Sequence, residues 1–311
     1  MANQLMSALD RLTKRLSKPM QYWGLRAWTA IISKFPIEAN LATARMIGTL
    51  WPIVFSRHRK RAVEHLRIAF PERSERELDQ IARRSLKHFA QLYLVELVMT
   101  PQLVNLTTWA KYLDLGDIGP GLREILRPGP KILITPHFGN FELVGYAMAT
   151  LGVPLTAIMR PLDDERINDF LKRSRAASGL TLLDKRGAMA DAPHLLHDGG
   201  TLCFIADQDA GRKGVFSNFF NRPASWYKSI SLLAMRYHAP IVVGGATRTG
   251  DRFHYRMTME RIIHPEEWRE HDDPVQWITD TFAAAMEAMI RRAPEQYLWM
   301  HRRWKSQPAQ G

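Results

Sequence analysis

Lys131-Ile132-Leu133-Ile134-Thr135-Pro136-His137-Phe138-Gly139-Asn140-Phe141-Glu142 decides the reading of this chain. Its first five residues form a short apolar run, which predicts a strand buried on both faces. Gly139 marks a turn, and Asn140 stands where an N-cap would open a helix to about Leu151. The strand-then-helix pattern repeats downstream. Further strands are expected at Pro154–Met159, Leu180–Leu183, Thr201–Ile205 and Ile241–Gly244, with helices at 163–177, 187–198 and 225–237 between them. Phe253–Met259 alternates like a half-exposed strand, and 274–292 reads as a last helix. Upstream, residues 1 to about 110 read as helical, and Ser74-Glu75-Arg76-Glu77 is a capping box. The expected fold is therefore α/β: a largely parallel central sheet flanked by helices, with a helical N-terminal extension.

The 311 residues suffice for a large core, and the composition, 46% hydrophobic and 24% charged, is that of a folded protein. Three regions are expected: a helical, basic, membrane-associating part at 1–110, an α/β catalytic part at 111–305, and a disordered tail at 306–311. The single cysteine, Cys203, excludes an internal disulfide and a thiolate-rich metal site, and its apolar neighbours make it core. Net charge is +12, and residues 1–70 contribute +9 of it, with 12 basic and 3 acidic residues. Such a field favours partners rich in phosphate, whether nucleic acid, phosphorylated cofactor or anionic lipid. No C2H2 finger or distinctive helix–turn–helix supports nucleic acid. The longest uncharged stretch, Leu143–Met159, is broken at Gly152-Val153-Pro154 and is not a convincing membrane span. Tyr22, Trp23, Arg26 and Trp28 among apolar residues suit helices lying in a membrane interface or helices packed on the protein's own core.

His137 falls just beyond a strand end, where α/β sheets bind ligands. The helix dipole beside it disfavours imidazolium and keeps a neutral ring able to take a proton. Glu142, about a turn further on, is expected to hold the ring N–H. No Gly-x-Ser-x-Gly motif is present, so a substrate hydroxyl deprotonated by His137 would itself attack an acyl carbonyl. Backbone N–H groups around Phe138, Gly139 and Asn140 are the expected oxyanion donors. His-Glu-x-x-His is missing, and no metal is expected.

His137–Glu142 resembles the His-x4-Asp/Glu signature of the glycerophospholipid acyltransferase superfamily, and in its fuller form the late, lauroyl/myristoyl-type acyltransferases of lipid A biosynthesis. The resemblance continues through Met159-Arg160-Pro161, through Ala206-Asp207-Gln208-Asp209-Ala210-Gly211 and through Phe219-Phe220-Asn221-Arg222-Pro223-Ala224. It closes with Pro294-Glu295-Gln296-Tyr297-Leu298-Trp299-Met300-His301-Arg302-Arg303-Trp304-Lys305. Phe141 stands where the family usually has tryptophan, and Ala210 where an aromatic residue is common. The resemblance implies an enzyme, peripheral or weakly anchored at the cytoplasmic face of the bacterial inner membrane. It would move a fatty acyl chain from acyl carrier protein, or from CoA, to a hydroxyl of a phosphorylated glycolipid, without a further cofactor. It implies His137 as base and Glu142 as its partner. Arg160 would bind an acceptor phosphate or support the site, Asp207 and Asp209 would orient the loop or the acceptor, and Arg302 and Arg303 would add positive charge. Phe216, Phe219 and Phe220 would line an acyl groove or belong to the core. Two other readings compete: the same chemistry on another anionic lipid, and a lipid-binding protein that catalyses nothing.

Overall fold

The computed structural model describes residues 19–159, 162, 164–176 and 179–308, leaving aside the side chains of 185–189. Arg160 and tail residues 309–311 lie outside the described residues. The chain begins with helices α1 (19–32), α2 (Ile37–Val54), α3 (Ser56–Ala69) and α4 (Glu75–Gln91). The capping box forms as expected: Ser74 N–H donates to Glu77 Oε2 at 2.9 Å, and Glu77 N–H to Ser74 Oγ at 3.4 Å. Helix α4 runs into a single π-helical turn, Leu92–Glu96, and then α5 (Leu97–Leu103) and the short α6 (Trp109–Tyr112). No helix among the described residues is long and apolar enough to cross a membrane.

The central sheet comprises β1 (Leu113–Asp114), β2 (Lys131–Thr135), β3 (Leu155–Met159), β4 (Thr181–Asp184), β5 (Thr201–Ile205), β8 (Ile241–Arg248) and β9 (Tyr255–Ile263). Their spatial order is β1-β9-β8-β2-β5-β3-β4, and β8 with β9 is the antiparallel pair in an otherwise parallel set of ladders. Strand β2 sits in the middle, fully buried, which is why its five residues need no polar face. Alternate residues serve two cores. Ile132, Ile134, Leu202, Ile241 and Val243 face one, with Ala234 and Phe282 from the helices α11 (Lys228–Tyr237) and α13 (Pro274–Arg292). Leu133, Cys203 and Val242 face the other, with Leu143 and Ala147 of α8 (Phe141–Thr150) and Leu41 of α2. Helices α7 (Gly119–Leu126), α9 (Glu165–Ala176), α10 (Lys185–His197) and α12 (Pro265–Arg269) complete the set.

A second, two-stranded sheet was not expected. Strands β6 (Val215–Phe219) and β7 (Arg222–Trp226) form a hairpin, so the helix anticipated from residue 225 begins only at Lys228. Its turn is Phe220-Asn221, both at positive φ (51° and 61°), the two-residue geometry that matches strand twist. Phenylalanine is a poor residue for that conformation, but here its ring is buried against Trp299 and Phe219. Strands β8 and β9 also extend beyond the segments read from sequence, to Arg248 and Ile263.

Candidate active site

The loop after β2 is fastened from three sides. Gly139 N–H donates to Gln296 O at 2.9 Å and Asn140 N–H to Ala246 O at 3.0 Å, while Leu298 N–H donates to His137 O at 3.2 Å. His88 Nε2, on α4, meets Gly139 O at 3.0 Å. Gly139 has φ +55°, and a Cβ there would lie 1.9 Å from Ala246 O, so no other residue fits. Asn140 caps α8 as the sequence indicated, its side-chain oxygen accepting Leu143 N–H at 2.9 Å. Its amide nitrogen donates to Glu96 Oε2 at 3.0 Å. Glu96, fully buried in the π-helical turn, also accepts hydrogen bonds from Arg248 and Tyr255. A buried carboxylate holding three donors from three elements fixes the cap, and with it the loop.

His137 Nδ1 lies 2.6 Å from Asp207 Oδ1. The carboxylate can only accept, so Nδ1 carries a proton, and in the neutral ring the lone pair is on Nε2. Gln208 Nε2 approaches that nitrogen at 3.3 Å, and Phe141 packs edge-on to the ring, centroids 4.9 Å apart. Burial acts to raise the Asp207 carboxyl's pKa, yet His137, through its ring and backbone N–H, and buried Arg303 together hold it below the usual range. Arg303 donates to Ser225 O at 2.7 Å and stacks 4.1 Å over the Trp226 ring, behind the carboxylate.

Sequence reasoning expected Glu142 in Asp207's place. Glu142 instead faces α9, where Arg175 Nε donates to its Oε2 at 2.9 Å and Arg175 Nη2 to its other oxygen. Register explains the exchange of partners. Strands β2 and β5 pair Thr135 with Ile205, so two residues past each strand end His137 and Asp207 stand side by side. Glu142 is carried away by the turn of α8 and meets a planar guanidinium fork that fits a carboxylate with two bonds. Arg175 and Gln208 were not singled out from sequence. Arg175 could have been sought on the helix expected over 163–177, since a buried carboxylate needs a cation.

A cavity of about 450 Å³ opens from this cluster at the C-terminal ends of β2, β3 and β5. His137, Glu142, Arg175 and Gln208 form its polar end. Ile158, Met159, Leu162, Leu171, Phe204 and Leu233 make most of the rest apolar, with Tyr227 and Ser229 also on the lining. The other expected site residues fall elsewhere. Phe219 and Phe220 are fully buried in the core and Phe216 lies on β6, and none of the three lines the cavity. Asp209 accepts from Ser306 N–H and Oγ at 3.2 and 3.0 Å, and so ties down the C-terminal segment. Arg302 is exposed, whereas Arg303 is interior and supports Asp207. The Phe138, Gly139 and Asn140 N–H groups expected to bind an oxyanion are engaged internally, with Pro136 O, Gln296 O and Ala246 O. Cys203 is buried and its thiol pushed up to about 12 by burial, which suits a core residue.

A carboxylate-held imidazole whose other nitrogen faces a cavity, at the carboxyl edge of a parallel sheet, has the parts for base-assisted group transfer onto a hydroxyl. Residues 10–306 match the family model of the bacterial lipid A biosynthesis acyltransferases, and the chain belongs to that family. It is 27% identical over 288 residues to the lipid A biosynthesis palmitoleoyltransferase of Escherichia coli (strain K12), covering 90% of this chain and 89% of the relative. It is 25% identical over 314 residues to the lipid A biosynthesis lauroyltransferase of the same organism, covering 97% and 98%. A lipid A biosynthesis acyltransferase of Haemophilus influenzae (strain ATCC 51907 / DSM 11121 / KW20 / Rd) is 24% identical, with 93% and 92% covered. The protein is an acyltransferase of lipid A biosynthesis.

Proposed function

We propose that the chain transfers a fatty acyl group from an acyl thioester, with acyl carrier protein the favoured donor, to a hydroxyl of a lipid A precursor, using His137 as general base. The observation that carries this is the His137 imidazole, oriented by Asp207, at the polar end of a cavity of about 450 Å³ that is otherwise largely apolar. The acceptor hydroxyl gives its proton to Nε2 and its oxygen attacks the thioester carbonyl. Asp207 steadies the imidazolium, and collapse of the adduct breaks the C–S bond while the imidazolium protonates the leaving thiolate. With the loop N–H groups engaged, the Arg175 guanidinium and the Gln208 amide share the cavity with His137 beside the Tyr227 and Ser229 hydroxyls, and the guanidinium and amide take the part of oxyanion stabilisers. Glu142 holds Arg175 for that task. Arg160, next to the end of β3, keeps its proposed role toward the acceptor phosphate. The acyl chain lies along Ile158, Leu171, Phe204 and Leu233; each buried CH2 contributes roughly 0.8 kcal/mol.

The helical part, 1–110, serves as the membrane-facing unit and 111–305 as the catalytic one. Met46, Leu50, Ile53 and Val54 form an exposed apolar stripe on α2, and α3 continues it with exposed Arg57 and Lys60. An apolar stripe edged by cations suits a peripheral site on an anionic bilayer, here the cytoplasmic face of the inner membrane. The relatives differ in the acyl group their names carry, palmitoleoyl or lauroyl. Chain length is therefore set by the depth of this chain's own cavity.

The test is incubation of the purified protein with acyl carrier protein thioesters or acyl-CoA of graded length and a lipid A precursor, with product mass measured. Transfer with a sharp length optimum that shortens in Leu233→Trp supports the reading. Absence of transfer to the precursor from either donor contradicts it.

A further inference from the structure

A second cavity, about 330 Å³, lies on the other side of α9, between α1 and α5. Leu171 lines both cavities, so this space adjoins the one that holds His137 along α9. Its character is different. Arg26 from α1, Arg173 from α9 and Gln102 from α5 line it. The Arg26 guanidinium is stacked over the Phe170 ring at 5.1 Å, which orients its donor fork while leaving its edges free. Among the described residues neither arginine has an ion-pair partner, whereas Arg175, two residues from Arg173, is paired with Glu142 through Nε and Nη2. On the α1 turns beside Arg26, Met20 and Trp23 are exposed (74% and 66%), a combination suited to the headgroup depth of a bilayer.

Resting on the acyl-transfer reading, we infer that this cavity is a phosphate subsite for the lipid acceptor. Arg26 and Arg173 bind a phosphomonoester on the headgroup while the reacting hydroxyl reaches past Leu171 to His137. Two unneutralised arginine forks suit a doubly charged phosphate, and a position next to interface-type side chains suits a phosphate carried by a lipid.

The experiment compares two acceptors, a lipid A precursor with its phosphates intact and the same lipid after phosphatase treatment, for wild type, Arg26→Gln and Arg173→Gln. Wild type is expected to favour the phosphorylated acceptor in kcat/KM by about tenfold or more, with each variant bringing that ratio toward one. Arg26→Lys, which keeps the charge but not the fork, is expected to fall between them. A ratio unchanged in both variants overturns the proposal. If the protein acylates neither lipid, the acyl-transfer reading fails. The subsite is then judged by binding to phosphatidylcholine vesicles carrying either lipid, where equal binding by wild type and variants overturns it. Titration with inorganic phosphate separates the sources: saturation by free phosphate, with no preference between the two vesicle types, overturns a lipid-borne ligand.

Discussion

Glu142 lines the cavity and Asp207 is buried behind His137 at its polar end, and the two carboxylates hold different partners. Asp207 comes from the end of a neighbouring strand, is almost wholly buried, and grips an imidazole whose charge is transient in the proposed reaction. Glu142 comes from the first turn of α8 and grips Arg175, whose charge is permanent. The difference teaches that proximity in sequence does not assign a carboxylate its partner. A strand register linking residues 70 apart outweighs a spacing of five, because a helix turn redirects the side chain and paired strand ends do not.

That contrast can be broken experimentally, beginning with the pair expected to matter most. Asp207→Asn keeps the shape but favours the wrong tautomer, and kcat is expected to fall by about 10²–10⁴-fold with the far-UV spectrum unchanged. A loss under tenfold would remove Asp207 from the account. For the other pair the expected signature is in stability. Glu142→Gln leaves Arg175 uncompensated near the interior, at about 3–5 kcal/mol, and the double variant Glu142→Gln/Arg175→Met is expected to unfold at higher urea than Glu142→Gln alone. Strictly additive losses in that cycle would show that the two side chains are not a unit.

A smaller effect concerns two interior-facing histidines, His88 and the half-buried His65. Burial first, then Arg248, depresses His88 to about 3, and burial depresses His65 to about 4. Both folded values lie below the unfolded one, so the unfolded chain takes up more protons as the medium turns acid. Their stability is thus fully present above pH 6.5 and is lost as pH falls toward 4 and then 3. Unfolding at pH 5 should cost less than at pH 7 by on the order of 1–2 kcal/mol per histidine, and His88→Gln should flatten that slope. A urea midpoint independent of pH over this range would contradict it. The smallest effect expected is at Cys203: one thiol should react with a disulfide reagent after denaturation and none before, because the sulfur is buried and its thiolate disfavoured.

The fold was largely legible because its signals are local. The run at 131–135, the cap at Asn140 and the box at Ser74 each contain their own instruction, and the structure follows them. The hairpin 215–226 was hidden because Pro223 interrupts its alternation and its turn uses a phenylalanine at positive φ, held there by packing that no local pattern announces. His137 was legible for the same reason as the strand before it. Its contact with Asp207, the ion pair of Glu142 with Arg175, and the Glu96 network under Asn140 depend on elements meeting across 33 to 159 residues of sequence. Such meetings follow from sheet order and helix packing.

The most direct test of base catalysis at His137 is mass spectrometry of lipid A from a host producing either the intact protein or His137→Ala, at matched levels of folded enzyme. The account predicts an acyl gain on lipid A with the intact protein and none with the variant. An equal gain with His137→Ala would contradict it.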